Sequence, residues 1–133
     1  MDYKVLKEID NIHQMANEAL AKKQFDTYMN IFSDTLEYKQ FDGSVIDKDT
    51  LSHNTLSYFG RIKNVHSQYD RVHYSVEEHI FTENIIQKAR VSIKVFIFFI
   101  KTFTVEREGN YIWRKKENTW KIEHVEIFSE HIF

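Results

Sequence analysis

The chain has 133 residues, enough for one domain with its own core and too few for two. With 42% hydrophobic and 29% charged residues it has the balance of a globular protein rather than a disordered one. Its formal charge of −2, with only Arg114-Lys115-Lys116 as a basic cluster, argues against a nucleic-acid surface; with no Cys it has no disulfide, thiol nucleophile or thiolate metal site.

Val5, Ile9, Ile12, Ala16, Ala19 and Leu20 recur at helical spacing, with Lys7, Glu8, Asp10, Gln14 and Glu18 between them. This predicts an amphipathic helix over about residues 3–22, with Lys22-Lys23 at its carbonyl pole. Phe25, Tyr28, Met29 and Phe32 continue the period in a shorter helix. Leu36, Tyr38 and Gln40 alternate with Glu37, Lys39 and Phe41 as a strand, and Asp42-Gly43 marks a turn. Asp47 is placed to cap a third helix carrying Leu51, Thr55, Tyr58, Phe59 and Ile62, with Gly60 as its stop.

From Val65 onward the pattern is that of strands. Val72, Tyr74, Val76 and Ile80 are expected on one face; Arg71, His73, Ser75, Glu77, His79 and Phe81 on the other. Thr82-Glu-Asn84 reads as a hairpin turn into a strand from Arg90 to Lys101. Along that strand Ala89, Val91, Ile93, Val95, Ile97 and Phe99 point one way. Lys88, Arg90, Ser92 and Lys94 point the other, until Phe96, Phe98 and Ile100 make that side apolar too. A strand apolar on both sides needs two covers, read here as the chain's own helices and a second copy of the chain. After a polar interlude at Glu106–Asn110 come two further strands, joined by a turn at Glu117-Asn118. Trp120, Ile122, His124, Glu126 and Phe128 are expected on one face of the last strand, Val125 and Ile127 on the other.

Helices followed by a run of strands indicate an α+β domain whose long sheet can curl and leave a cavity. Nothing in composition marks a domain boundary, so one domain is expected over 1–133. The charged start lacks the apolar core of a signal peptide, and the longest apolar run, Val95–Ile100, is far below the ~20 residues of a spanning helix. A cytoplasmic protein that does not act on membranes is expected.

Three stretches carry a family resemblance: Glu18–Asp26, Leu36–Leu51 with its Asp-Gly turn, and the Trp113–Ile122 hairpin, Trp-Arg-Lys then Trp-Lys-Ile. Over roughly residues 5–130 the chain resembles the nuclear transport factor 2-like superfamily, nearest to its SnoaL-like and ketosteroid-isomerase-like bacterial members. The resemblance implies a cone: three N-terminal helices packed on a strongly curved antiparallel sheet, a cystatin-like α+β roll with a pocket at its open end. It implies a homodimer through the outer face of the sheet. Activity does not follow from that fold, which serves isomerases, dehydratases and non-catalytic domains alike. The steroid-isomerase pattern is missing at three positions: Lys39 or Gln40 stands at the expected Asp base, Ala16 at the expected Tyr and Tyr111 at the expected buried acid. Steroid isomerisation is therefore not expected.

The expected ligand is a small apolar molecule, walled by Tyr28, Phe32, Tyr38, Tyr58, Tyr111 and Trp113, with His124, Glu126 and Phe128 beside them. If the domain is an enzyme, it is expected to be an isomerase or lyase without cofactor. His124 or His73 would then be the acid or base and Tyr38 or Tyr111 the donor. The His positions lack His-x-His or His-Glu-x-x-His spacing, so no metal is expected. The remaining alternative is a protein-interaction domain whose pocket its own side chains fill.

Overall fold

The computed structural model describes residues 2–96 and 99–133. The elements run α1 (Asp2–Ala21), α2 (Phe25–Met29), β1 (Phe32–Lys39), β2 (Val45–Ile46), α3 (Lys48–Arg61), β3 (Ile62–Glu77), β4 (Ile80–Phe96), β5 (Phe99–Lys116) and β6 (Thr119–Ile132). The strands form a six-stranded sheet in the order β2-β1-β6-β5-β4-β3. All neighbours are antiparallel except β1 and β6, which pair in parallel. The sheet is curled and not closed, and the three helices pack on it: the α+β architecture expected from the helix-then-strand order.

Each helix forms for a local reason. In α1, Ile9, His13, Ala16 and Ala19 make one buried stripe, and burying a side chain such as Ile9 contributes about 1.5–3 kcal/mol. Its acids are strapped to the sheet: Trp120 Nε1 donates to Glu8 Oε2 at 2.7 Å, and Tyr69 OH to Asp10 Oδ1 at 2.6 Å. Asp47 caps α3 by accepting the Thr50 N–H at 2.9 Å. Gly43 turns between β1 and β2 at φ +89°, a conformation glycine adopts without strain. Gly60 is no stop. It lies within α3, which ends when Ile62 turns extended to start β3.

The long strands depart from the sequence reading in ways with a common cause. A run of apolar residues shows strand propensity but does not show where the strand folds back. The expected Arg90–Lys101 strand is two strands, with Phe96 paired to Phe99. The expected turn at Thr82–Asn84 lies inside β4; the chain reverses instead at Glu78-His79. Glu106–Asn110 is continuous β5. Ile97 and Phe98, expected on opposite faces, lie outside the described residues. Glu117 and Asn118 form the β5–β6 turn, both at positive φ, as a two-residue hairpin loop requires.

Three of the sheet's six register shifts decide which residues face inward near the candidate site. Between Arg71 and His73 the β3 register shifts, which puts Arg71 in phase with Tyr74 and Val76 and leaves Val72 out of it, 53% exposed. Between Ile122 and His124, Glu123 is the extra residue. Trp120 and Ile122 face the core before it, Val125 and Ile127 after it, so His124 and Glu126 are carried to the opposite side from Trp120. The third shift lies at Gly109. A Cβ there would stand 2.7 Å from the Glu126 carbonyl oxygen and 2.8 Å from Ile127 Cδ1, so the close approach of β5 to β6 requires glycine.

Candidate functional site

Between the concave face and the helices lies a cavity of about 410 Å³. Its apolar wall comes from Ala16 and Leu20 of α1, Ile31 and Phe32 at the start of β1, Leu51 of α3, and Val65, Ala89, Val91, Phe103 and Val105 of the long strands. Tyr28, Tyr38, Tyr58 and Tyr111 also line it, as do His13, Asn17, Asn54, Gln87, Arg61 and Arg107. Neither Asp nor Glu is among the described lining residues.

The phenols form one electrostatic group. Burial raises the Tyr28, Tyr38, Tyr58 and Tyr111 hydroxyls above the ordinary phenol range. The Arg107 guanidinium pulls each back in part, so one cation stands within electrostatic reach of all four rings. All four remain neutral donors at ordinary pH. Tyr111 OH donates to Gln87 Oε1 at 2.9 Å. Arg107 Nε donates to Glu130 Oε2 at 2.7 Å. Burial disfavours the Arg107 charge, but Glu130 and the neighbouring Tyr38 and Tyr111 outweigh it and raise Arg107 overall.

Below the phenols is a buried polar network. Glu83, 1% exposed on β4, accepts from Trp113 Nε1 at 2.7 Å and from Arg71 Nε at 2.9 Å. His13 Nε2 lies 2.7 Å from Glu83 Oε2. Indole and guanidinium N–H groups only donate and a carboxylate only accepts, so His13 Nε2 carries the hydrogen toward Glu83. In the neutral imidazole Nδ1 is then the lone-pair nitrogen. The ring packs on Tyr69, 4.2 Å between centroids, and meets the edge of Trp113 at 5.3 Å. Arg71 also donates to Asp10 Oδ1 at 2.8 Å. Burial opposes the Asp10 charge, but Tyr69 and Arg71 prevail and hold this carboxyl below its usual range.

The residues singled out in the sequence divide by this geometry. Tyr28, Phe32, Tyr38, Tyr58 and Tyr111 meet around the cavity. Trp113 is fully buried behind it and serves Glu83. His124 lies in a shallow polar recess with Thr35, Glu37, Arg114, Lys116 and Glu123, 3.9 Å from Glu37. Glu126 pairs with Lys39 at 3.3 Å, and Phe128 is 46% exposed beside the Gly109 bulge. His73 is exposed on the convex side of β3, opposite Asn84. The two histidines proposed as acid or base thus stand apart from the cavity because register bulges, invisible in the alternation, set their faces.

The sequence reading missed His13, Glu83, Arg71, Arg61 and Arg107. A signal for two of them existed. His13 falls between Ile9 and Ala16 on the apolar stripe, and Glu83 between Phe81 and Ile85 in strand phase. A polar residue at a core position needs a partner, and here each is the other's. Among the described residues no group of three or more His, Asp or Glu side chains converges as a metal site, and no helix is long and apolar enough to cross a membrane.

No family model matches the chain, and no curated protein does. Solved structures do. A protein from Kribbella flavida superposes with a TM-score of 0.83 at 13% identity, covering 100% of this chain and 95% of that one. A candidate scytalone dehydratase from Novosphingobium aromaticivorans gives 0.82 at 9% identity, covering 95% and 84%. A candidate dehydratase of the nuclear transport factor 2-like family from Streptomyces avermitilis gives 0.72 at 9%, covering 92% and 94%. Identities this low speak for architecture and leave activity open. The chain has the nuclear transport factor 2-like fold.

Proposed function

We propose that the chain binds a small, mainly apolar molecule in this cavity and moves a proton on it, as a lyase or isomerase, with His13 as the base. The observation that carries this reading is His13 itself: a lining imidazole whose Nε2 is held by a buried carboxylate, which leaves Nδ1 as the basic nitrogen. In the step proposed, His13 Nδ1 takes a proton from a substrate carbon. The C–H electron pair becomes a carbon–carbon double bond. In an elimination the bond to the leaving group breaks and the imidazolium returns the proton to that group. In an isomerisation the proton returns to another carbon. Tyr38, kept neutral by burial, is suited to donate to oxygen that gains charge on the way, while Tyr111 already donates its hydrogen to Gln87. The dehydratase names of two fold neighbours agree with an elimination.

The test pairs His13→Gln with Glu83→Gln in a screen of small hydroxy- and halo-substituted unsaturated compounds. His13→Gln is expected to bind hits near wild-type affinity while turnover falls about a hundredfold or more, the range for loss of a general base, and Glu83→Gln, which also loosens the fold, is expected to lose turnover as well. Turnover unchanged in His13→Gln would sink the reading. An independent check is the nitrogen NMR signature of the His13 ring, expected to show the hydrogen on Nε2.

The same proposal keeps the homodimer through the outer sheet face. Ile86 and Ile112 are only partly exposed there, and Asn84, 5% exposed, has an Oδ1 with no partner among the described residues. Light scattering that reports a monomer at micromolar concentration would remove the dimer and leave the cavity reading untouched.

A further inference from the structure

We propose that the molecule taken by the cavity is a carboxylic acid: an apolar body with an anionic head held by Arg107, with Arg61 as the second cation. The inference rests on the cavity being a small-molecule site and adds the charge of its occupant.

Among the described residues the lining holds Arg61 and Arg107 and neither Asp nor Glu. A neutral apolar ligand needs no such wall, since a guanidinium beside an apolar group loses hydration and gains nothing. An amine would meet like charge. A carboxylate finds charge-assisted donors, and a guanidinium's planar fork matches its two oxygens. Arg107 is partly committed, through its Nε bond to Glu130. Among the described residues its Nη atoms make no hydrogen bond, and Arg61, exposed at the end of α3, makes no ion pair. The phenols sharpen the choice. Because burial holds Tyr28, Tyr38, Tyr58 and Tyr111 neutral, they add no negative charge to oppose an anion, and the hydroxyls other than that of Tyr111, which donates to Gln87, add donors beside Arg107. His13 is the remaining titratable lining group, already bound to Glu83 outside the lining. The volume, about 410 Å³, lies toward the lower end of ligand pockets and suits a small acid.

The experiment titrates the full chain with 3-phenylpropionate, cinnamate and octanoate, each against its amide. Calorimetry reads affinity and the Tyr28 and Tyr111 ring resonances report placement in the cavity. At least one acid is expected to bind about tenfold or more tightly than its amide, the scale of one charged hydrogen bond. Arg107→Gln is expected to remove most of that preference and Arg61→Gln part of it. Arg107→Lys, which keeps the charge opposite Glu130, guards against a variant that fails to fold; its preference should be reduced but present. Equal binding of acid and amide, with the tyrosine signals moving, would overturn the anionic head and leave the small-molecule site standing. Binding of neither, or a preference that survives both Gln variants, would also overturn it; binding of neither would count against the site as well.

Discussion

At the junction of α1 and β4, His13 and Glu83 meet at 2.7 Å with side chains 7% and 0% exposed. At the edge between β1 and β6, His124 and Glu37 stand 3.9 Å apart with side chains 40% and 72% exposed. The residue types are the same, yet the physics is opposite. At the edge, water solvates both groups and salt screens them, so the pair contributes about 0–1 kcal/mol and orders little. At the junction the Glu83 carboxylate is cut off from bulk solvent, so its oxygens must find protein partners. Glu83 finds three and the imidazole orientation follows. A His–Glu pair thus acquires a defined tautomer from burial, not from composition.

The comparison breaks first at Glu83. Glu83→Gln removes the charge opposite part-buried Arg71, which keeps its pair with Asp10, and is expected to destabilise the fold by about 3 kcal/mol, the low end for a broken buried pair, read by urea denaturation. A loss no larger than that of Glu37→Gln would erase the distinction between the two sites. Trp113→Phe deletes one donor to Glu83 and replaces the fully buried indole with a smaller ring. It is expected to lose about 1–3 kcal/mol, and more than one helix-cap change such as Asp47→Ala at about 1 kcal/mol.

Two pH effects sharpen the contrast. Tyr111 titrates above the ordinary phenol range, so the folded state favours the neutral form. Its contribution is full below the free phenol value near 10 and is lost as pH rises toward the folded one. Tyr111→Phe should therefore flatten the fall of stability above about pH 10, the free phenol value. Asp10 is depressed, so its contribution is present above the free carboxyl value near 3.9 and is lost as pH falls through the folded one. Asp10→Asn should remove part of the acid instability below about pH 4, the free carboxyl value, as followed by circular dichroism. The smallest effect belongs to the edge pair: Glu37→Gln should change stability by less than about 0.5 kcal/mol.

Much of the fold was legible in the chain. The α1 stripe, the Asp47 cap, the Gly43 turn and the Glu117-Asn118 loop each state a local requirement in local residue types. The cavity was legible in part. Tyr28, Tyr38, Tyr58 and Tyr111 are aromatic residues with a hydroxyl to satisfy, and they meet around one space. The dyad is not legible in the same way. Glu83 stands in a polar triplet that reads as a turn, and His13 is a single polar residue on a stripe whose pattern is set by its apolar members.

By itself the sequence determined the helices, the turns and the strand-rich second half, because those depend on neighbours a few positions away. It also determined that large rings with hydroxyls would need an interior. Only the tertiary structure decided which side of a strand a residue faces, because the register shifts near Val72, Gly109 and Glu123 invert the alternation without changing composition. It likewise decided that His13 belongs with Glu83, seventy positions away in the chain. Side-chain facing has a period of two, so one extra residue reverses it, and no local pattern records where partner strands admit that residue.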